Sequence, residues 1–190
     1  MIITISGVSG AGKSSTAIKI AEKLGMKHYS MGDLQRKLAE KHNMSTVEFS
    51  KIESKDPKYD KERDELLIQL GKTEDNFVID TWLGAKFIPD AFNVFLDCNL
   101  DIRAQRIFKE VYHGKNIAGI DHKRRSDKKY SSLNETKKEL LKKEELNRNR
   151  WLKYYDFDYK DKKNYDFVLD TSLLTIKETV NAIIIAIKEL

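Results

Sequence analysis

The segment from Ile2 to Leu24 constrains this chain more than any other. A short apolar run, Met1-Ile-Ile-Thr-Ile5, leads into Gly7-Val-Ser-Gly-Ala-Gly-Lys-Ser14, and a helical pattern begins at once. Eight residues of the form G-x-x-x-x-G-K-[ST], set between a strand and a helix, predict a loop whose backbone N–H groups converge on one anion. Gly7, Gly10 and Gly12 allow positive φ and close backbone approach there. The helix that starts near Lys13 adds the positive end of its dipole. The expected cradle is Gly7, Val8, Ser9, Gly10, Ala11, Gly12, Lys13, Ser14 and Ser15. It would hold the phosphates of a nucleoside triphosphate, with Lys13 reaching the β- and γ-phosphates and Ser14 offering its hydroxyl to Mg²⁺. ATP and Mg²⁺ are therefore the expected cofactors.

The rest of the chain alternates short apolar runs with helical stretches. Ile2–Ser6, Phe77–Asp80, Val94–Asp97 and Phe167–Asp170 read as buried parallel strands, with Lys27–Ser30 as a fifth. Helices are expected over Lys13–Leu24, ending at Gly25, and over Asp33–His42. A further helix is capped by Asp56-Pro57 and runs to about Leu70, stopping at Gly71. Ser45-Thr-Val-Glu48 and Ser132-Leu-Asn-Glu135 are capping boxes, the second opening a long helix to about Tyr155. Asp101–Tyr112 and Ile176–Leu190 complete the set, the last with Val180, Ile183, Ile184 and Ile187 on one face. This pattern predicts an α/β fold: a five-stranded parallel sheet between two layers of helices, built by right-handed crossovers. Ligands then lie beyond the carboxyl ends of the strands, where the glycine loop and Asp80 fall. Residues 31–74 and 113–131 exceed a minimal sheet and are large enough to close over a site. All 190 residues are expected to form one domain.

The excess of 35 Lys and Arg over 30 Asp and Glu, a formal charge of +5, suits anionic partners without separating nucleotide from nucleic acid. Cys98 is the only cysteine, which leaves no internal disulfide. No basic-plus-apolar leader and no run of membrane-spanning length is present, so a cytoplasmic protein is expected. His28, His42, His113 and His122 show neither metal-ligand nor triad spacing.

At this point the residues resemble a known family. The glycine loop, Tyr29-Ser-Met-Gly-Asp-Leu-Gln-Arg36, the strand ending Val-Ile-Asp80, Phe87-Ile-Pro-Asp-Ala91, and Asp101-Ile-Arg-Ala-Gln-Arg106 look like the nucleoside monophosphate kinases of the P-loop superfamily. The segment from Arg125 through Arg150 to Asp166 looks most like the archaeal type of cytidylate kinase. The resemblance implies ATP-dependent transfer to CMP or dCMP by a monomer, with no nucleic acid or membrane partner. It implies a monophosphate-binding insert at about 31–74 and a lid at about 113–131. Carried over residue by residue, Arg36 would hold the acceptor phosphate and Asp33 would lie beside the acceptor. Arg106, Arg124 or Arg125, and Arg148 would be lid arginines, and Asp80 would support Mg²⁺ with Ser14. Arg148 and Arg150 cannot share a helix face, so at most one of them faces a site.

One departure is clear. After the third strand the family shows an acidic residue and then Gly-Arg, whereas here the text is Asp80-Thr-Trp82-Leu-Gly-Ala-Lys86. Trp82 replaces an arginine that helps to bind the acceptor phosphate. Lys86 or Arg63 is expected to return the missing charge, and Trp82 either stacks on a base or packs in the core. Two other readings stand beside this one: a kinase for AMP, UMP or a small metabolite, and a nucleotide-dependent switch or ATPase. Against a GTPase, Thr136-Lys-Lys-Glu139 fails the base-reading motif at its last residue.

Overall fold

Five parallel strands form the centre of the computed structural model, which describes residues 1–45, 48, 49, 52, 56–113 and 130–189. They are β1 (Ile2–Gly7), β2 (Lys27–Ser30), β3 (Phe77–Asp80), β4 (Phe92–Asp97) and β5 (Phe167–Asp170), in the order β2-β3-β1-β4-β5. The three central strands are buried almost throughout, because helices cover both faces of a parallel sheet. The register sets Ile5 beside Asp80 and Val94, and Gly7 beside Leu96. The strand ends that carry polar residues therefore open on one edge.

The α-helices bounded within the described residues are, in chain order, α1 (Lys13–Leu24), α2 (Met31–Lys41), α3 (Pro57–Thr73), α4 (Gly84–Phe87), α5 (Leu100–His113), α6 (Leu133–Tyr155) and α7 (Ile176–Lys188). Local chemistry explains most of their ends. Gly25 closes α1 at φ 65°, and Asp56 accepts the Lys58 N–H at the start of α3 with Pro57 in the first turn. The Ser45–Glu48 capping box is formed, although most of residues 50–55 lie outside the described residues. Thr175 and Glu178 form an unanticipated third box at α7.

Three expectations need correction. Gly71 does not stop α3, which continues to Thr73. A Cβ at Gly71 would meet Ile88 Cγ1 at 2.9 Å, so this glycine permits close packing on the α4 side instead. The box at Ser132 is only half formed: Ser132 accepts the Glu135 N–H, but the Glu135 carboxylate turns to Ser131. The short α4 has no counterpart among the expected helices; a Cβ at its Gly84 would lie 2.5 Å from Thr4, so the backbone rests directly on β1.

The main core gathers Ile3, Ile5, Val94 and Leu96 of the sheet with Ala17, Ile20, Val180 and Ile183 of α1 and α7. Trp151, Tyr159 and Tyr165 extend it beneath α6. A second cluster, around Leu67, Phe77, Ile79 and Ile88, seats α3. A third, Leu38, Ala39 and Phe49, joins α2 to α3 through Tyr59 and Leu66.

Candidate active site

The glycine loop is held from three sides. Gly7 has φ 136°, and a Cβ there would fall 2.1 Å from the Leu96 carbonyl oxygen, so no side chain fits. Val8 N–H donates to Leu96 O at 3.1 Å. Thr171, just after β5, donates its hydroxyl to Ala11 O at 3.1 Å. Ser9 is gripped at both backbone atoms: its N–H donates to Glu144 Oε1 at 3.0 Å, and its carbonyl accepts from Arg103 at 3.3 Å. Glu144 and Arg103 are themselves a buried ion pair joining α6 to α5, and Lys160 donates to Glu144 at 2.9 Å. Burial pushes the Glu144 carboxyl up, but bonds from Lys160 and Arg103 outweigh it and hold the group below the usual carboxylate range. The Val8 and Ser9 N–H groups are thus committed to shaping the loop.

Lys13, the first residue of α1, folds over this loop. Its Nζ donates to the carbonyls of Gly7 and Val8, each at 2.9 Å, and stands 5.0 Å from the Trp82 ring centroid. Burial, and then the like charge of Lys143, lower its pKa to about 8. Ser14 donates its hydroxyl to Asp80 Oδ2 at 2.7 Å, and His28 Nε2 bonds Asp80 Oδ1 at 2.8 Å. A hydroxyl and a carboxylate are hard oxygen donors of the kind Mg²⁺ prefers. Among the described residues no cluster of three or more His, Cys, Asp or Glu is set to hold a metal. The donor set fits a cation held by one or two protein oxygens and otherwise by phosphate.

Beside Lys13 lies a cleft of about 480 Å³, bounded by the start of α2, the middle of α3, the β3–α4 turn and α6. Its cations are Arg63, Lys143 and Arg150. Lys143, Asn147 and Arg150 recur at helical spacing and so present one face of α6. Arg63 donates to Asp60 and Asp64, and Arg150 pairs with Asp60 at 3.3 Å. Both carboxylates are buried, at 1% and 3% exposure, on the same face of α3 as Leu67. The Asp64 carboxyl is pushed up by burial, against the opposing pull of Arg63 and of the bond from Tyr155.

The sequence-derived candidates separate on this map. Lys13, Ser14, Asp80 and Trp82 come together, with Arg63 across the cleft. Arg36 pairs with Asp33 along α2, and it is Met31, Gly32 and Gln35 that line the cleft from that helix. Lys86 is exposed on α4 and is not among the lining residues. Arg148 grips Asp158 with two nitrogens on the outer side of α6, which leaves Arg150 as the member of that pair facing the cleft. Arg106 donates to Thr171 O at 2.8 Å, close to the segment that braces Ala11. Arg124 and Arg125 lie outside the described residues.

Sequence reasoning missed Glu144, Lys143, Asn147, Asp64 and His28. One signal for Glu144 was available: it sits on the buried stripe Thr136, Leu140, Glu144, Trp151, where a lone carboxylate demands a partner. His28 has no telling spacing in the sequence, yet it orients Asp80.

Residues 2–173 match the family described as the cytidylate kinase-like family. The chain belongs to that family. The cytidylate kinase of Methanocella arvoryzae is 33% identical over 190 residues, covering 100% of this chain and 98% of the relative. That of Sulfolobus acidocaldarius is 33% identical over 186 residues, covering 97% and 92%. Among solved structures, shikimate kinase from Bacteroides thetaiotaomicron superposes with a TM-score of 0.63 at 15% identity, covering 100% of this chain and 99% of that one. An uncharacterized protein from Eubacterium ventriosum gives 0.68 at 16% identity, with the same coverage of 100% and 99%. Likeness at that identity speaks for the P-loop kinase fold. This cytidylate kinase-like chain also has no helix, among its described residues, long and apolar enough to cross a membrane.

Proposed function

We propose that this protein transfers the γ-phosphoryl group of ATP to CMP or dCMP, giving ADP and the nucleoside diphosphate. One observation carries the reading: in a chain of this family, Lys13 and Ser14 at the end of the glycine loop, with Asp80 of β3, stand beside a cleft lined by Trp82, Arg63, Lys143 and Arg150. Family membership supports a nucleoside monophosphate kinase that uses ATP. The cleft supports an anionic acceptor: three cations for phosphate, and Gln35 and Asn147 for hydrogen bonds to a base.

Little covalent chemistry falls to the protein. The attacking oxygen belongs to an already ionised phosphate, so no strong general base is required, and catalysis is positioning plus charge stabilisation. Lys13 would move from the Gly7 and Val8 carbonyls to phosphate oxygens, one set of acceptors replacing another. Ser14 and Asp80 would hold Mg²⁺, which supplies neutralisation of the phosphate oxygens when bound. Arg63 and Arg150, oriented by Asp60 and Asp64, would fix the acceptor phosphate. We also propose the helical insert of residues 31–74 as the acceptor-binding part of one domain and residues 113–131 as its lid.

An acceptor panel tests this reading. With ATP and Mg²⁺, CMP and dCMP should give the highest kcat/KM among CMP, dCMP, UMP, AMP, GMP and shikimate. Turnover confined to AMP or to a non-nucleotide acceptor would overturn it.

A further inference from the structure

Trp82 stands where the family resemblance places an arginine, and its surroundings show what replaces that charge. The Lys13 Nζ lies 5.0 Å from the ring centroid and the Lys143 Nζ 5.9 Å. The first lysine comes from the phosphate loop and the second from the cleft face of α6. No other aromatic ring among the described residues has two ammonium groups over it. The indole is also fixed: Tyr159 packs at 4.9 Å and Trp151 at 5.3 Å, and both belong to the main core. A base stacked on Trp82 would have to displace lysines from a ring that cannot turn away.

We propose that Trp82 is a cation platform: its ring gathers Lys13 and Lys143 and so builds a two-lysine site for the phosphoryl group in transit between donor and acceptor. This rests on the kinase reading. Two ammonium groups drawn to one ring repel each other, and that repulsion is relieved when a phosphoryl oxyanion settles between them. The relief is largest for the species with most charge spread over its equatorial oxygens, which is the transition state. An arginine would contact phosphate directly through a planar fork. The indole instead places two point charges that suit a moving, non-planar target. Trp82 is then a positioning residue and Lys143 a catalytic one, whereas Lys86 contributes nothing to transfer.

The test compares wild type with Trp82→Phe, Trp82→Leu, Lys143→Met and the Trp82→Leu/Lys143→Met double variant. Two quantities are read: kcat with ATP and CMP, and calorimetric affinity for ADP·Mg²⁺ with and without aluminium fluoride plus CMP, a mimic of the transferring group. Trp82→Leu and Lys143→Met should each lower kcat and mimic affinity about tenfold or more, while ADP affinity changes less than about threefold. Because the two residues act as a unit, the double variant should be no more than about threefold worse than the poorer single one. Trp82→Phe, which keeps an aromatic face, should stay within about threefold of wild type.

Equal losses of ADP and mimic affinity would reduce Trp82 to a packing residue, and multiplicative losses in the double variant would show that Trp82 and Lys143 act independently. Either result overturns the platform. Should Trp82→Leu not fold, Trp82→Phe and the exposed Lys143→Met still decide the matter. A wild-type protein that phosphorylates no monophosphate would instead overturn the kinase reading itself.

Discussion

At the residue scale, the site is built by groups that hold other groups. Asp80 is shared between Ser14 and His28, with bonds of 2.7 and 2.8 Å. His28 sits on β2, one strand over from β3, and the parallel register brings Ser30 level with Asp80. Removing the imidazole leaves Asp80 held, among the described residues, by Ser14 alone, a looser hold on the position that would serve a metal. His28→Ala should therefore raise the Mg²⁺ concentration needed for half-maximal rate by about tenfold, with little change in the KM for CMP. A Mg²⁺ titration of activity checks this, and an unchanged midpoint would leave His28 a packing residue. Lys13 yields a second expectation. Its pKa of about 8 means that near pH 8 a sizeable share of the ammonium groups is deprotonated. A phosphate arriving there favours the charged form, so donor binding should take up protons at pH 8 and almost none at pH 6. Calorimetry of ATP binding in buffers of different ionisation enthalpy reads this directly; proton release at pH 8 would contradict it.

At the element scale, α6 does two jobs with two faces. Glu144 turns inward to Ser9 and Arg103, while Lys143, Asn147 and Arg150 line the cleft. Truncating one partner of a buried ion pair leaves the other charge stranded, so Glu144→Ala should cost about 3–5 kcal/mol in denaturant unfolding. Acid should expose the same interaction. The folded-state pKa of Glu144 is depressed, so its stabilisation is present above the unfolded value, near 4.5, and is lost as pH falls through the lower folded value. Glu144→Gln should flatten that acid limb of the stability curve. Gly71→Ala sets two effects against each other: helix propensity favours alanine by about 1 kcal/mol, while a methyl at 2.9 Å from Ile88 costs about 1–3 kcal/mol. A net loss is expected, checked by melting temperature. These elements also show how far the sequence could be read. Strands and most helix ends were legible because they depend on local signals: buried apolar runs, Gly25, Asp56-Pro57. The phosphate loop was legible because its glycines and Lys13 act within eight consecutive residues. Gly71 misleads because its role is set by Ile88, reached only through the third dimension. Arg148 and Arg150 differ in role for the same reason. Spacing shows that they diverge, but only Asp158 and the cleft say which goes where.

At the scale of the whole molecule, the glycine loop and the cleft are mechanically joined through α6. The donor loop is gripped at Ser9 by Glu144, and one residue earlier on the same helix Lys143 overlooks the cleft. From the other side, Tyr155 at the end of α6 donates to Asp64, whose neighbour Arg63 lines the cleft. A helix anchored at its middle by Glu144 and at its C-terminal end by Tyr155 cannot adjust to one ligand without shifting the groups that meet the other. Donor and acceptor should therefore bind with positive coupling, in the usual range of about 5- to 150-fold. The measurement is the calorimetric Kd of CMP alone and in the presence of a saturating non-hydrolysable ATP analogue with Mg²⁺. Linkage requires the analogue's own affinity to rise by the same factor when CMP is present, which gives an internal check. Glu144→Gln keeps the length of the side chain but loses its charge, and should cut the coupling toward unity while leaving the CMP Kd measured alone nearly unchanged. Coupling that survives in this variant would show that the two regions communicate by direct contact between ligands, and α6 would then be a support for the cleft instead of its link to the loop.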